Sequence, residues 1–254
     1  MRIQYASDLH LEFRENTRYL KEHPLEVVGD ILVLAGDILL FGEKLTSEHP
    51  FWDWCSDHYA HTLVVPGNHE YYNRVDVLST LDHFTYALRR NVIYLNNRSI
   101  SLGDTELFFT TLWTKVSDDE LAGVQTGMTD CHRIACGKHL LLATDYGRLH
   151  DKCMTWLQEA LGKSTAQHKV VVTHHCPIVA EDPRYAGNGL SSAFVVDLED
   201  MIEQSGIDYW IYGHTHWNAR RGTKIGHTTL LTNQMGYLTH GGEEGFAPDE
   251  FFTI

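Results

Sequence analysis

Five stretches of the chain are apolar, rich in β-branched residues, and end abruptly in polar ones. They are RIQYASDLH (2–10), DILVLAGD (30–37), TLVVPGNHE (62–70), KVVVTHH (169–175) and DYWIYGHTH (208–216). Short, nearly continuous apolar runs of this kind suit strands buried on both faces of a sheet. Between them, residues 51–59, 75–89, 149–161 and 193–204 carry apolar positions at helical spacing. Strands alternating with helices predict a layered α/β fold. Residues 92–95, 99–102, 107–111 and 228–232 read as further strands that make a second sheet. The segment 117–147 lacks clean periodicity and 187–192 reads as a loop; long irregular loops in compact domains are more often functional than accidental. No repeat or linker rich in Gly, Pro and Ser interrupts the chain, so residues 1–254 are expected to form one domain.

The polar residues at the strand tips are unusual in kind. Asp8 and His10 are two apart, so an extended chain would point both the same way. Asp37 follows Gly36, Asn68 and His69 follow Gly67, His174 ends an apolar run, and Gly213 precedes His214 and His216. In α/β sheets, ligands bind in the crevice outside the carboxyl ends of the strands. If the five strands share one edge, these groups converge there. Asp, His and Asn are nitrogen and oxygen donors suited to divalent Mn, Fe, Co, Ni or Zn rather than to thiolate-loving metals. These groups exceed one tetrahedral ion and fit two ions that share a carboxylate. Two ions about 3.5–4 Å apart can hold a bridging hydroxide and clamp both oxygens of an in-line displacement at phosphorus.

Composition narrows the partners. A net charge of -14 argues against long duplex nucleic acid, which needs clustered Lys and Arg. No apolar run approaches the roughly 20 residues of a membrane span, and MRIQYASDLH turns polar too early for a signal-peptide core. A cytoplasmic location with no membrane partner is expected. The 5 cysteines are scattered without a CxxC pair, which fits reduced thiols; Cys131 and Cys136 flank His132, but a second pair of soft ligands is missing.

Each motif alone is ordinary turn or capping chemistry. Their joint occurrence, in order and each after a buried strand, is not. The order DxH, GD, GNH[DE], H, GHxH, carried by Asp8-Leu9-His10, Gly36-Asp37, Gly67-Asn68-His69-Glu70, His174 and Gly213-His214-Thr215-His216, resembles the calcineurin-like metallophosphoesterases. The resemblance implies a four-layer α-β-β-α sandwich of two mixed sheets. It implies that Asp8, His10, Asp37 and His216 hold one divalent ion, and that Asp37 bridges to a second held by Asn68, His174 and His214. The bridging hydroxide would attack phosphorus. His69 would be the general acid for the leaving oxygen or a donor to the phosphoryl group, with Glu70 orienting the loop.

The protein Ser/Thr phosphatases of this superfamily carry GDxxDRG, whose second Asp orients the acid histidine and whose Arg holds phosphate. Here the segment is GDILLFG, with Leu40 and Phe41 at those places. A phenylalanine cannot fork to phosphate. The chain is similar instead to the compact bacterial phosphodiesterase-like members. A small phosphodiester, carrying a single negative charge, is the expected substrate. The alternatives are a phosphomonoesterase or nuclease of the same superfamily, and a catalytically silent metal-binding scaffold. Arg133, in the irregular segment, is the first candidate for a phosphate contact; Tyr71, Tyr72, Trp113, Asp130, His132 and Asn218 are others. His175 reads either as a substrate donor or as packing.

Overall fold

The computed structural model describes residues 1–42, 44–180, 187–242 and 244–254. In chain order the strands are β1 (Arg2–Ala6), β2 (Ile31–Leu34), β3 (His61–Val64), β4 (Phe84–Arg89), β5 (Val92–Asn96), β6 (Arg98–Leu102) and β7 (Thr105–Thr110). They continue as β8 (Ala135–Cys136), β9 (His139–Leu140), β10 (His168–Thr173), β11 (Tyr209–Tyr212), β12 (Lys224–Ile225), β13 (Thr228–Thr232) and β14 (Phe251–Thr253). The helices are α1 (Arg14–Glu22), α2 (Lys44–Ser47), α3 (Pro50–His58), α4 (Leu121–Gly127), α5 (Asp130–Arg133), α6 (Asp145–Lys163) and α7 (Glu199–Gln204).

Two six-stranded sheets form, in the orders β14-β1-β2-β3-β5-β4 and β12-β13-β11-β10-β7-β6. Each is mixed in the same way. Four central strands run parallel, and one antiparallel strand closes each edge. Alternate residues decide the layers. Ile3, Tyr5, Ile31, Val33, Leu63 and Val65 of the first sheet meet Leu107, Phe109, Val170, Val172, Ile211 and Leu231 of the second in one buried layer. Their neighbours Leu32, Leu34, Val64 and Tyr94 point outward onto Leu20, Phe51, Trp52 and Cys55 of α1 and α3. On the far side Phe108, Val171, Trp210 and Leu230 pack with Leu157 of α6 and Ile202 of α7. The result is the four-layer α-β-β-α sandwich. Each fully buried Val, Leu, Ile or Phe contributes about 1.5–3 kcal/mol, so the two-faced burial that makes these strands apolar throughout also holds the layers together.

Several sequence expectations are corrected. The five motif strands do not share one sheet: β1, β2 and β3 lie in the first, β10 and β11 in the second, and β5 joins the first. Residues 75–89 are not a helix but a short 3-10 turn (Val77–Thr80) followed by β4. Apolar residues at 77, 81, 84 and 88 match a helical face, yet Thr85 and Tyr86 favour strand, and Tyr86 pairs with Tyr94 across β5. The segment 193–204 also breaks, into a turn at Ser191–Ala193 and α7, because Val195 is tied to Cys176 by a strand-like bridge. Helix α1 is polar, with only Tyr19 and Leu20 apolar, so its sequence does not announce it; it is anchored by buried Asn16, whose amide donates to the Leu9 and Gly236 carbonyls at 2.9 and 2.8 Å. Among the described residues, no helix is long and apolar enough to cross a membrane.

Candidate metal centre

The two sheets meet at their carboxyl ends. Beyond β1, Ser7 pairs with Gln234 beyond β13, and the Gly236 amide donates to the Asp8 carbonyl at 2.9 Å. The tips then interlock: Asp8 N–H donates to Gly36 O at 3.0 Å, His10 N–H to Asp37 O at 2.9 Å, and Gly213 N–H to His174 O at 2.9 Å. Groups from five strands of two sheets are thereby held within one crevice.

The local backbone is not extended. Asp8, His10, Asp37, His214 and His216 all have positive φ, at 54°, 46°, 55°, 73° and 50°. Asp8 and His10 face the same way because both take the left-handed conformation, not because a strand continues through them. Non-glycine residues held there cost on the order of 1–3 kcal/mol each, and such strain clusters at functional sites. Glycine relieves crowding beside them. At Gly36 φ is +88°, and a Cβ would lie 2.7 Å from His174 Cγ; at Gly67 it would press on Asp37 and His174. Gly36→Ala is expected to displace the His174 ring and to cut both metal uptake and turnover, the latter by about 10²-fold, the scale of a 1 Å misplacement. Metal analysis alongside kinetics checks this; wild-type uptake would count against the close packing described.

Among the described residues, two groups of donors share Asp37, Asp8–His10–Asp37–His216 and Asp37–His174–His214, each with its ligand atoms within 4.8 Å of one another, and His10, Glu12 and His69 form a further group beside them. Asn68 joins the second, its Oδ1 lying 3.0 Å from His174 Nε2. All seven residues expected from the sequence therefore meet.

The hydrogen-bond partners assign the tautomers. His174 Nδ1 lies 2.9 Å from the Ala35 carbonyl, which can only accept, so Nδ1 carries the hydrogen and Nε2 is bare. The Asn68 amide donates to Asp130 Oδ1 at 2.9 Å, which turns its oxygen toward that bare nitrogen. Two acceptors thus face each other at 3.0 Å, with His214 Nδ1 3.1 Å from the same atom. In the other group, His10 Nδ1 donates to Glu12 at 3.1 Å, leaving Nε2 facing His216 Nε2 at 3.1 Å and Asp37 at 3.7 Å. The opposed acceptors of Asn68 and His174 at 3.0 Å fit a cation.

The electrostatics agree. Burial pushes His10 down to about 3, helped by His69, and His174 down to about 4, so both are neutral, the ligating form, at neutral pH. Asp37 is raised well above the ordinary carboxylate range by burial and by the nearby Glu70 and Asp8, crowding that a cation relieves. Asp8 is also buried, which raises it, but its contact with His216 and the neighbouring imidazoles hold it at about 2.

Around these donors stands a supporting ring. Glu70 is buried and accepts from Asp37 N (3.0 Å), Ile38 N (2.9 Å), Gly67 N (2.7 Å) and Tyr94 Oη (3.1 Å). It orients the loops rather than joining the donor groups. Burial pushes its carboxyl up to about 7 against the pull of those backbone donors. Phe41, where the phosphatase pattern has arginine, sits edge-on to Tyr94 and Tyr71 with ring centroids 4.9 and 5.6 Å apart.

His69 Nδ1 lies 2.9 Å from Glu12 Oε1, and its Nε2 lies 2.7 Å from the Tyr237 hydroxyl. Burial works to raise Glu12, but its bonds from His10 and His69 hold it at about 2. A cavity of about 350 Å³ opens over Asp37, Asn68, His69, His214 and His216, walled by Tyr72, Met128, Leu190, Phe194 and Tyr237.

The substrate candidates separate. Tyr72 lines this cavity. Arg133 does not: its Nε donates to the Tyr72 carbonyl at 3.3 Å and its guanidinium lies 5.8 Å from the Tyr72 ring centre. His175 is buried behind the donors, bonded to the Thr111 carbonyl at 3.1 Å and packed on His214 and Trp113. Tyr71 bonds Thr80 in the core, His132 bonds the Thr126 carbonyl, and Asn218 braces Gln234. Asp130 supports the site from behind, accepting from Asn68, Tyr72 and Tyr146. Glu12, Tyr237 and the wall residues Met128, Leu190 and Phe194 were missed in the sequence; only the spacing Asp8-x-His10-x-Glu12 could have suggested the first. Cys136, His139 and Asp145 form a separate group of potential donors, but Arg148 already fills it, at 3.3 Å from Cys136 and 2.9 Å from Asp145.

A two-sheet sandwich with aspartate, histidine and asparagine gathered at its carboxyl edge defines a class, and the calcineurin-like phosphoesterase family profile matches residues 1–218. The chain belongs to this family. An uncharacterized protein (L509) of Acanthamoeba polyphaga mimivirus is 29% identical over 268 residues, covering 92% of this chain and 91% of that one. The phosphopantetheinyl hydrolase PptH from Mycobacterium tuberculosis superposes with a TM-score of 0.65 at 17% identity, over 92% of this chain and 89% of that one. That likeness shows the shared fold. A putative 5'-nucleotidase from Staphylococcus aureus gives a TM-score of 0.44 at 18% identity, covering 92% of this chain and 48% of that one.

Proposed function

We propose that the protein hydrolyses small phosphodiesters with two divalent ions, one held by Asp8, His10, Asp37 and His216 and the other by Asp37, Asn68, His174 and His214. The observation that carries this reading is the pair of donor groups sharing Asp37, with the Asn68 oxygen and the bare His174 nitrogen opposed across the second. Divalent ions bound there would polarise a phosphoryl oxygen and lower the pKa of water, supplying the electrophile and the nucleophile.

The chain's own residues do the rest. Asp8 and Asp37 offset half of the four positive charges, leaving a centre attractive to an ester anion. Asp130 holds Asn68 with its oxygen forward. His69, fixed at Nδ1 by Glu12, presents Nε2 to the cavity, and as the imidazolium it gives its Nε2 proton to the departing oxygen; the Tyr237 hydroxyl at 2.7 Å marks the place an oxygen occupies. Tyr72, Met128, Leu190, Phe194 and Tyr237 give the second ester group an apolar and aromatic wall. That wall and the phenylalanine in place of the phosphatase arginine favour a diester over a dianionic monoester.

The protein loaded with Mn or Co is expected to turn over bis(4-nitrophenyl) phosphate, with activity lost on chelation. His69→Ala is expected to keep its metal and to lose about 10²–10⁴-fold in rate on a dialkyl diester, the usual worth of general acid–base catalysis. Unchanged turnover in that variant, or no turnover by metal-loaded protein on diesters and monoesters alike, would count against the reading. The second outcome would favour a metal-binding scaffold.

A further inference from the structure

We infer that Glu12 is the positioning residue for His69, replacing from the first motif the carboxylate that Leu40 leaves missing in the second. The inference rests on the reading of His69 as the group that serves the leaving oxygen. Leu40 packs among apolar neighbours and offers His69 nothing. Glu12 comes from the other side. The chain past β1 is pinned by Leu11 N–H to the Ile38 carbonyl at 2.9 Å and by Phe13 N–H to the His10 carbonyl at 3.0 Å, so residue 12 is carried over the donors.

Glu12 Oε1 lies 2.9 Å from His69 Nδ1 and 3.1 Å from His10 Nδ1. A carboxylate only accepts, so both imidazoles must carry hydrogen on Nδ1. For His69 this fixes Nε2 as the atom that meets the Tyr237 hydroxyl on the cavity wall. The ring is further clasped between Tyr72 and His10, with centroids 4.0 and 4.4 Å away. Turning it over would put a C–H against Glu12, so the carboxylate selects both the tautomer and the face. The same oxygen orients His10, a proposed metal ligand. Carboxylate partners of ligating histidines set their tautomer in the same way. One side chain thus aligns a ligand of the first ion and the acid beside it.

Because Glu12 touches both, the test must tell them apart. Glu12→Leu removes the acceptor at similar volume; Glu12→Gln keeps one accepting oxygen without the charge and serves if the leucine variant fails to fold. In metal-free protein, long-range 15N–1H correlation spectra read the His69 tautomer directly. The wild type is expected to show Nδ1–H, the leucine variant a mixture, and the glutamine variant a tautomer nearer to wild type. With metal restored, Glu12→Leu is expected to lose about 10²-fold or more in kcat on a dialkyl diester, whose alkoxide needs a proton. On bis(4-nitrophenyl) phosphate, whose phenolate leaves unaided, it should lose several-fold at most, with KM little changed on both, both rates being measured with metal in excess because the variant also loosens His10. Glutamine should fall between.

Equal losses on the two substrates with metal in excess would overturn the inference and place the role of Glu12 at His10. An unchanged His69 tautomer would overturn it as well. Failure of the wild type on both substrates would sink the phosphodiesterase reading instead, and the spectra would still decide whether Glu12 sets the His69 ring.

Discussion

Replacing Asp37 by asparagine is expected to leave a folded protein that holds fewer ions than the wild type and hydrolyses diesters roughly 10³-fold more slowly or worse, equivalent to about 4 kcal/mol at 1.36 kcal/mol per decade. Asp37 alone belongs to both donor groups, with Oδ2 3.7 Å from His10 Nε2 and Oδ1 3.4 Å from His174 Nε2. Asparagine keeps an oxygen for the His69 backbone N–H, which now donates to Asp37 Oδ1 at 2.9 Å, so the loop retains its tie. Its amide hydrogens, however, must then point toward His10. One oxygen cannot serve both sides, and half the negative charge offsetting the ions is gone. Elemental analysis of the purified variant against the wild type, with rates on an aryl diester, checks this. Equal metal content and equal rate in the two proteins would remove Asp37 as the shared ligand.

The second large effect is on stability. Glu70→Gln preserves volume, yet the carboxamide accepts on one side only. If its oxygen serves Ile38 N and Tyr94 Oη, its NH₂ faces the N–H groups of Asp37 and Gly67, which Glu70 Oε2 now accepts at 3.0 and 2.7 Å. The flipped orientation only moves the conflict. Two buried donors left without an acceptor, at about 1–3 kcal/mol each, predict a loss of about 3 kcal/mol. For a chain of this size that lowers Tm by about 10 °C. Because Asp37 and Gly67 hang from this side chain, metal uptake should weaken too. Thermal unfolding of the metal-free protein isolates the structural part. A Tm within about 2 °C of wild type would mean that the four donors do not depend on a carboxylate.

Much of this was legible from the chain because burial on both faces writes itself into a strand as an unbroken apolar run. LVV before Pro66 and Gly67, or VVV before Thr173 and His174, announces where the sheet stops. A polar donor just past that point has only the strand ends to occupy. The order of the motifs therefore carries the family, the sandwich and the seven residues that meet in the crevice. Residues 75–89 depart from the expected helix for a related reason: a short apolar spacing fits a helical face or an edge strand equally well, and pairing with β5 decides between them.

The primary sequence determined which residues are donors and that each follows a strand, since both are local properties of composition and period. Folding alone decided that the strands divide between two sheets and that Asp8, His10, Asp37, His214 and His216 turn left-handed to aim inward. It also decided that Glu12, Asp130 and Tyr237 close around the site. Those relations join residues as far apart as 168 positions in the chain. Hydrogen-bond direction and opposed lone pairs exist only once the two carboxyl edges are brought face to face, and no local pattern encodes them.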